Sequence, residues 1–188
     1  MASGSKRGAI IIHSTRSNKV EYRADNVFAY GVTGLCYLPN GSLVACGNDG
    51  YGGNVNLKVF SPSLELVQTL EGHGGRVECV TVSPSGSHFA SGGALDKKVM
   101  IWSESGAGGE WARVQVLEDH TDEIRAVCFS PDGKQLATGS NDKSIKTYSF
   151  NEGSAILSHS TIVSLQGLDQ LEGRAEYLQA AIPPTSHK

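Results

Sequence analysis

The chain has 188 residues, a formal net charge of −3 and a charged fraction of 19%, which argues against the broad basic field of a nucleic-acid binder and against a polybasic membrane patch. Twenty-three glycines against six prolines suit many tight turns between short strands better than a disordered or collagen-like chain. The first apolar run, Ala9-Ile10-Ile11-Ile12, is too short for a signal-peptide core or a membrane span, so a soluble cytoplasmic protein with no membrane or nucleic-acid partner is expected.

From the N-terminus, residues 1–8 are expected to be disordered. Ala9 to His13 and Val20 to Arg23 flank the polar loop Ser14-Thr15-Arg16-Ser17-Asn18 and predict the last two strands of a unit, residues 9–25, whose first two are absent. Three longer blocks follow, 26–71, 72–118 and 119–160. Their register is fixed by Pro39-Asn40-Gly41, Pro84-Ser85-Gly86 and Pro131-Asp132-Gly133, spaced by 45 and 47 residues. Pro-x-Gly between apolar runs predicts a hairpin, because proline presets φ and glycine accepts the positive φ that closes the turn. The runs before the turns are Leu35 to Leu38, Val77 to Ser83 and Ile124 to Ser130; those after are Leu43 to Cys46, Phe89 to Ser91 and Leu136 to Thr138. A third strand ends on an aromatic residue each time, with Asn54, Asp96 and Asp142 six residues ahead of Phe60, Trp102 and Tyr148. Fourth strands fall at Glu65 to Leu70, Ala112 to Leu117 and Ala155 to His159. In the tail, 161–188, Thr161 to Gln166 suits a strand opening another unit. Leu168, Leu171, Ala175 and Leu178 then form a helix-like stripe that Pro183-Pro184 stops.

Four antiparallel strands repeated at this period resemble the WD40 family of β-propellers. The resemblance is strongest from Gly72-His73 to Trp102 and from Asp119-His120 to Tyr148, although Trp102-Ser103 and Tyr148-Ser149 stand where the family has Trp-Asp. The block from Val27 to Phe60 lacks the His and carries the Gly-rich insertion Gly50-Tyr51-Gly52-Gly53. The implied fold is all-β, a partial propeller of three to four four-stranded blades that does not close a ring, since the smallest propellers have four blades. The length predicts a fragment or truncated form, with completion by a second copy or by another chain of a larger assembly as alternatives.

His73, Ser91 and Asp96 are the residue types of a nucleophilic triad, yet His120, Thr138 and Asp142 repeat them one block later. A catalytic site needs no copy in each repeat, whereas a blade needs the same buried polar network every time. The resemblance implies two hydrogen-bonded tetrads, His73-Ser91-Asp96-Trp102 and His120-Thr138-Asp142-Tyr148. Tyr148 cannot place a donor where an indole does, so the second tetrad is expected to be weaker. Cys46 and Asn54 take these places in the block ending at Phe60, which is therefore expected to rely on packing alone. No unrepeated cluster of acid, base and nucleophile is present, so neither an enzyme nor a cofactor is expected. The Gly-rich runs at 72–75 and 106–109 lack the Lys and strand-to-helix context of a phosphate cradle. His13, His88, His159 and His187 lack metal spacing, and Cys36, Cys46, Cys79 and Cys128 each sit in an apolar run as expected of buried free thiols.

Propellers bind partners through loops at the ends of the ring. Arg76, Glu78, Glu123 and Arg125 enter the innermost strands, and Leu95 and Asn141 precede the turn Asp. The resemblance places these six at the binding end, as candidates for a protein partner. The order of blocks is also similar to the last part of the actin-interacting protein 1 family, two-propeller helpers of cofilin, which implies actin or cofilin as that partner.

Overall fold

A computed structural model describes residues 1–50, 56–105, 109–151 and 158–164. Its regular elements are all strands, arranged as four antiparallel sheets in chain order. The first holds β1 (Ala2–Gly4), β2 (Ile10–His13) and β3 (Val20–Ala24). The second holds β4 (Val32–Tyr37), β5 (Leu43–Gly47), β6 (Leu57–Phe60) and β7 (Leu66–Leu70). The third holds β8 (Val77–Val82), β9 (His88–Gly93), β10 (Val99–Ser105) and β11 (Glu110–Leu117). The fourth holds β12 (Ile124–Phe129), β13 (Gln135–Ser140), β14 (Ser144–Ser149) and β15 (Ser158–Ser164).

Side chains alternate across each strand, and here both faces of the middle sheets meet a neighbour, so their strands read as continuous apolar runs. Leu43, Ala45 and Phe60 face the first sheet and pack with Ile10, Ile12 and Phe28. The intervening Val44, Cys46, Leu57 and Val59 face the third sheet and meet Phe89, Met100, Trp102 and Trp111. Ala90, Val99 and Ile101 on the opposite face of that sheet pack with Ile124, Leu136 and Tyr148 of the fourth. Gln68 of β7 adds a polar tie at the rim of the second and third sheets. Its amide donates to the Trp111 carbonyl at 2.9 Å and accepts the Trp111 N–H at 2.8 Å, as a short strand would. The result is an open arc of stacked sheets, a partial propeller.

All three Pro-x-Gly turns form. Gly41, Gly86 and Gly133 hold φ of +86°, +78° and +68°, and each donates its N–H to the residue before the proline. The hairpins differ in length, however. The Ser83 and Ser130 N–H groups reach the His88 and Gln135 carbonyls, five residues on, whereas the Leu38 N–H reaches Ser42, only four on. In the longer loops the hydroxyls of Ser83 and Ser130 accept the N–H groups of His88 and Gln135. Leu38 has no hydroxyl to hold the extra residue, and the loop is one residue shorter.

Three expectations are corrected at the ends of the arc and in its cysteines. Residues 1–8 are ordered: Ala2, Ser3 and Gly4 pair with Ile12, Ile11 and Ile10, so the first sheet has three strands and not two. The turn after β1 closes on Gly8 at φ +74°, and a Cβ on Gly4 would lie 2.5 Å from Val32. Small residues are what let this strand approach β4. At the other end, β15 runs Ser144↔Ser164 to Ser149↔Ser158 against β14, so Thr161 to Ser164 completes the fourth sheet and does not open another. The remainder of the tail, with its helix-like stripe, lies outside the described residues. Of the four free cysteines only Cys46 is buried, the others being half-buried; burial pushes the Cys46 thiol up to about 12.

Candidate functional site

The two expected tetrads are assembled. In the third sheet Trp102 Nε1–H donates to Ser91 Oγ at 2.9 Å, Ser91 Oγ lies 2.8 Å from His73 Nε2, and His73 Nδ1 lies 2.7 Å from Asp96 Oδ2. The proton order consistent with a carboxylate at one end and an indole at the other is Trp102 to Ser91, Ser91 to His73, His73 to Asp96. Asp96 also accepts the N–H groups of Gly74 and Lys98. Burial raises this carboxyl, but the His73 hydrogen bond and charge together with these N–H groups outweigh it and hold Asp96 below its ordinary range. Ser91 is fully buried and His73 nearly so. Ser91 Oγ accepts the indole N–H and is closed off from solvent, so the tetrad ties β9 and β10 to the loop before β8 and to the turn between them.

In the fourth sheet His120 bridges Asp142 at 2.7 Å and Thr138 at 2.8 Å. Tyr148 shares its hydroxyl between the Thr138 side chain and the Asp119 carboxylate, the latter at 3.1 Å. Ser144 compensates by donating to Asp142 at 2.6 Å. Burial raises Asp142, yet the hydrogen bonds from Ser144, His120 and the Thr121 N–H bring it down to about 2. Burial lowers His120, against the pull of Asp142.

The second sheet departs from expectation because of its shorter hairpin. Leu43 pairs with Phe60 as Phe89 does with Trp102 and Leu136 with Tyr148. The hydroxyl position therefore falls on Ala45, one residue before Cys46. The turn acid is Asp49, which accepts the Ala29 N–H at 2.8 Å as Asp96 and Asp142 accept those of Gly74 and Thr121. Phe28 takes the histidine position, and Asn54 lies outside the described residues. This sheet does not rely on packing alone. Lys58 Nζ reaches Asp49 Oδ2 at 2.9 Å, sits 4.5 Å from the centre of the Phe28 ring and donates to the Val27 carbonyl. A phenylalanine cannot neutralise the acid, and the lysine does so instead. Lys146 occupies the matching place in the fourth sheet, paired with Thr138 as Lys58 is with Ala45, and donates to the Asp119 carbonyl.

The six partner candidates gather at one end of the arc. The innermost strands of the second, third and fourth sheets carry a bulge at the same place, between Val32 and Gly34, Val77 and Cys79, and Ile124 and Ala126. A bulge re-aims the extra side chain, here Thr33, Glu78 and Arg125. The Thr33 hydroxyl donates to the Val77 carbonyl of the next sheet, and Arg125 reaches back to Glu78 at 2.9 Å. Arg76 pairs with Glu78 at 2.9 Å, Arg125 with Glu123 at 3.2 Å, and Asn141 donates to Glu123 at 3.4 Å. An alternating row of charges thus crosses the third and fourth sheets. Beside it opens a cavity of about 320 Å³ lined by Tyr30, Asn48, Gly50, Arg76, Ala94, Leu95 and Glu123. Tyr30 is 69% exposed and Leu95 53%. Glu78, Arg125 and Asn141 are not part of this lining.

Tyr30 and Asn48 escaped the sequence reading. Asn48 immediately precedes Asp49 as Leu95 precedes Asp96, so the signal was available once Asp49 is recognised as the turn acid. Among the described residues no three His, Cys, Asp or Glu side chains converge as metal ligands.

Residues 26–57, 64–103 and 111–149 each match the family model of the WD domain, G-beta repeat. Comparison with curated protein sequences gave no match.

Proposed function

Because the chain belongs to the WD40-repeat family, whose members generally bind other proteins, we propose that it is a protein-interaction scaffold whose partner seats on the rim formed by Tyr30, Asn48, Arg76, Leu95 and Glu123. The observation that carries this reading is the pairing of two exposed apolar side chains, Tyr30 and Leu95, with a charged row pinned by bulges on buried sheets. Exposed apolar groups on a rigid frame lose little entropy when covered, and an arginine beside them is a frequent anchor. The tetrads serve this role by fixing the turns that carry Leu95 and Asn141, and perform no chemistry.

Actin filaments, with and without cofilin, are the first partner to test, since the block order is similar to that of the actin-interacting protein 1 family. The chain is expected to co-sediment with filaments, and Leu95→Asp, melting at the same temperature, to lose at least tenfold in affinity. Equal sedimentation of that variant would place the contact elsewhere. A folded chain that never sediments removes actin. The scaffold reading then rests on peptides selected by display against the whole chain: selected peptides that bind Leu95→Asp and the parent chain alike would sink the rim.

A further inference from the structure

We infer that the rim cavity recognises a peptide segment in which an acidic side chain stands next to a large apolar one. The inference rests on the scaffold reading above and concerns what that surface selects. The charged row shows why. Glu78 is shared by two guanidiniums, and Glu123 already receives Arg125 and Asn141. At the other end, the pairing of Arg76 is made through Nε, and its two terminal nitrogens have no partner among the described residues. Arg76 is 36% exposed at its side chain and lines the cavity. Asn48 spends its oxygen on the Gly50 N–H at 2.9 Å, and among the described residues its amide nitrogen has no partner at the same wall. Among the described residues the cavity therefore presents open donors on Arg76 and Asn48, whereas the one carboxylate of its lining, Glu123, already receives Arg125 and Asn141.

A guanidinium fork with both terminal nitrogens open matches a carboxylate in a paired, planar geometry that a neutral amide reproduces only in part. The other wall is apolar, built from Ala94, Leu95 and the Tyr30 ring. Its volume of about 320 Å³ lies at the small end of ligand sites. That suits one or two side chains of an extended segment. The apolar residue supplies the anchor and the acid supplies the choice, because a rim charge contributes more to selectivity than to affinity.

The test uses the whole chain and fluorescein-labelled decapeptides with Gly-Ser flanks around Phe-Asp-Phe, Phe-Asn-Phe or Phe-Lys-Phe, read by fluorescence anisotropy at low salt. The Asp peptide is expected to bind at least tenfold tighter than the Asn peptide. Arg76→Gln should erase that difference, and Leu95→Ser should weaken both peptides, with melting temperatures unchanged. Equal binding of the Asp and Asn peptides, or an Asp preference that survives Arg76→Gln, overturns the inference. A Lys preference removed by Glu123→Gln overturns the acidic assignment and leaves the scaffold reading intact. Failure of all three peptides on a folded chain also overturns the inference, and the scaffold reading is then decided separately by the display selection.

Discussion

Replacing Ser91 by alanine removes one hydroxyl and strands two buried groups, the Trp102 indole N–H and the His73 Nε2. The parent distances are 2.9 and 2.8 Å, and both side chains belong to residues only 2% exposed, so water does not replace the lost partner. Each unsatisfied group costs about 1–3 kcal/mol, which puts Ser91→Ala at about 2–6 kcal/mol. Thr138→Val keeps the shape of the residue and strands chiefly His120 Nε2, since Tyr148 loses its contact with Thr138 but retains Asp119; its loss should be about 1–3 kcal/mol. Urea unfolding followed by fluorescence measures both, and for a chain of this size each kcal/mol corresponds to about 2–4 °C in melting temperature. In a Trp102→Phe background one stranded donor is already gone, so the Ser91→Ala penalty should shrink by about 1–2 kcal/mol. Equal losses for Ser91→Ala and Thr138→Val, or strict additivity with Trp102→Phe, would refute the assignment of a continuous indole-to-carboxylate chain.

Acid should act through the fourth sheet first. A carboxyl held at about 2 against an ordinary 3.8 contributes about 2 kcal/mol that is complete above the unfolded value and disappears as the pH falls through the folded one. His120, whose protonation burial opposes, withdraws stability as the pH drops below its ordinary 6.5. Unfolding midpoints from pH 7 to 2 should therefore decline in both windows, and Asp142→Asn should flatten the lower one; an unchanged acid slope in that variant counts against the pairing. Lys58→Met removes the cation that answers Asp49, and a loss of about 2 kcal/mol is expected from this partly buried pair; a neutral outcome would mean that water serves Asp49 equally well. Gln68→Ala should release the edge of β11 and speed hydrogen exchange at the Trp111 amide about tenfold, the equivalent of one hydrogen bond, with global stability little changed. Unaltered exchange at Trp111 would show the amide tie to be incidental.

Most of the architecture was legible because it repeats. Three Pro-x-Gly turns carry glycines at positive φ, and the polar residues counted from Pro84 and Pro131 fall at matching strand positions, so His73, Ser91, Asp96 and their counterparts could be placed without coordinates. The same counting from Pro39 slipped by one residue, since it assumed equal hairpins where Leu38 stands in place of the capping serine. From that slip came Cys46 for Ala45. Asn54 was reached differently, by counting six residues back from Phe60, whereas the Gly-rich insertion at 50–53 leaves the turn acid, Asp49, eleven residues back; with Asp49 went Asn48, the rim residue beside it. Phe28 was hidden for a further reason: a phenylalanine in the histidine position carries no polar signal, and its partner Lys58 lies on a strand where an exposed lysine would be unremarkable. The first strand was invisible on different grounds. Ala2, Ser3 and Gly4 have low strand propensity, and only the close approach to Val32, a tertiary fact, makes smallness an advantage.

The two enclosed lysines make the molecule its own gauge of breathing. Lys58 and Lys146 end on backbone carbonyls with 15% of one side chain and 8% of the other residue open to solvent, while Lys97 and Lys134 are exposed. Acylating reagents that attack only an unprotonated, accessible amine should mark the latter pair within minutes and reach the former only when the second or fourth sheet transiently parts, so the ratio of modification rates at each site measures the free energy of that local opening.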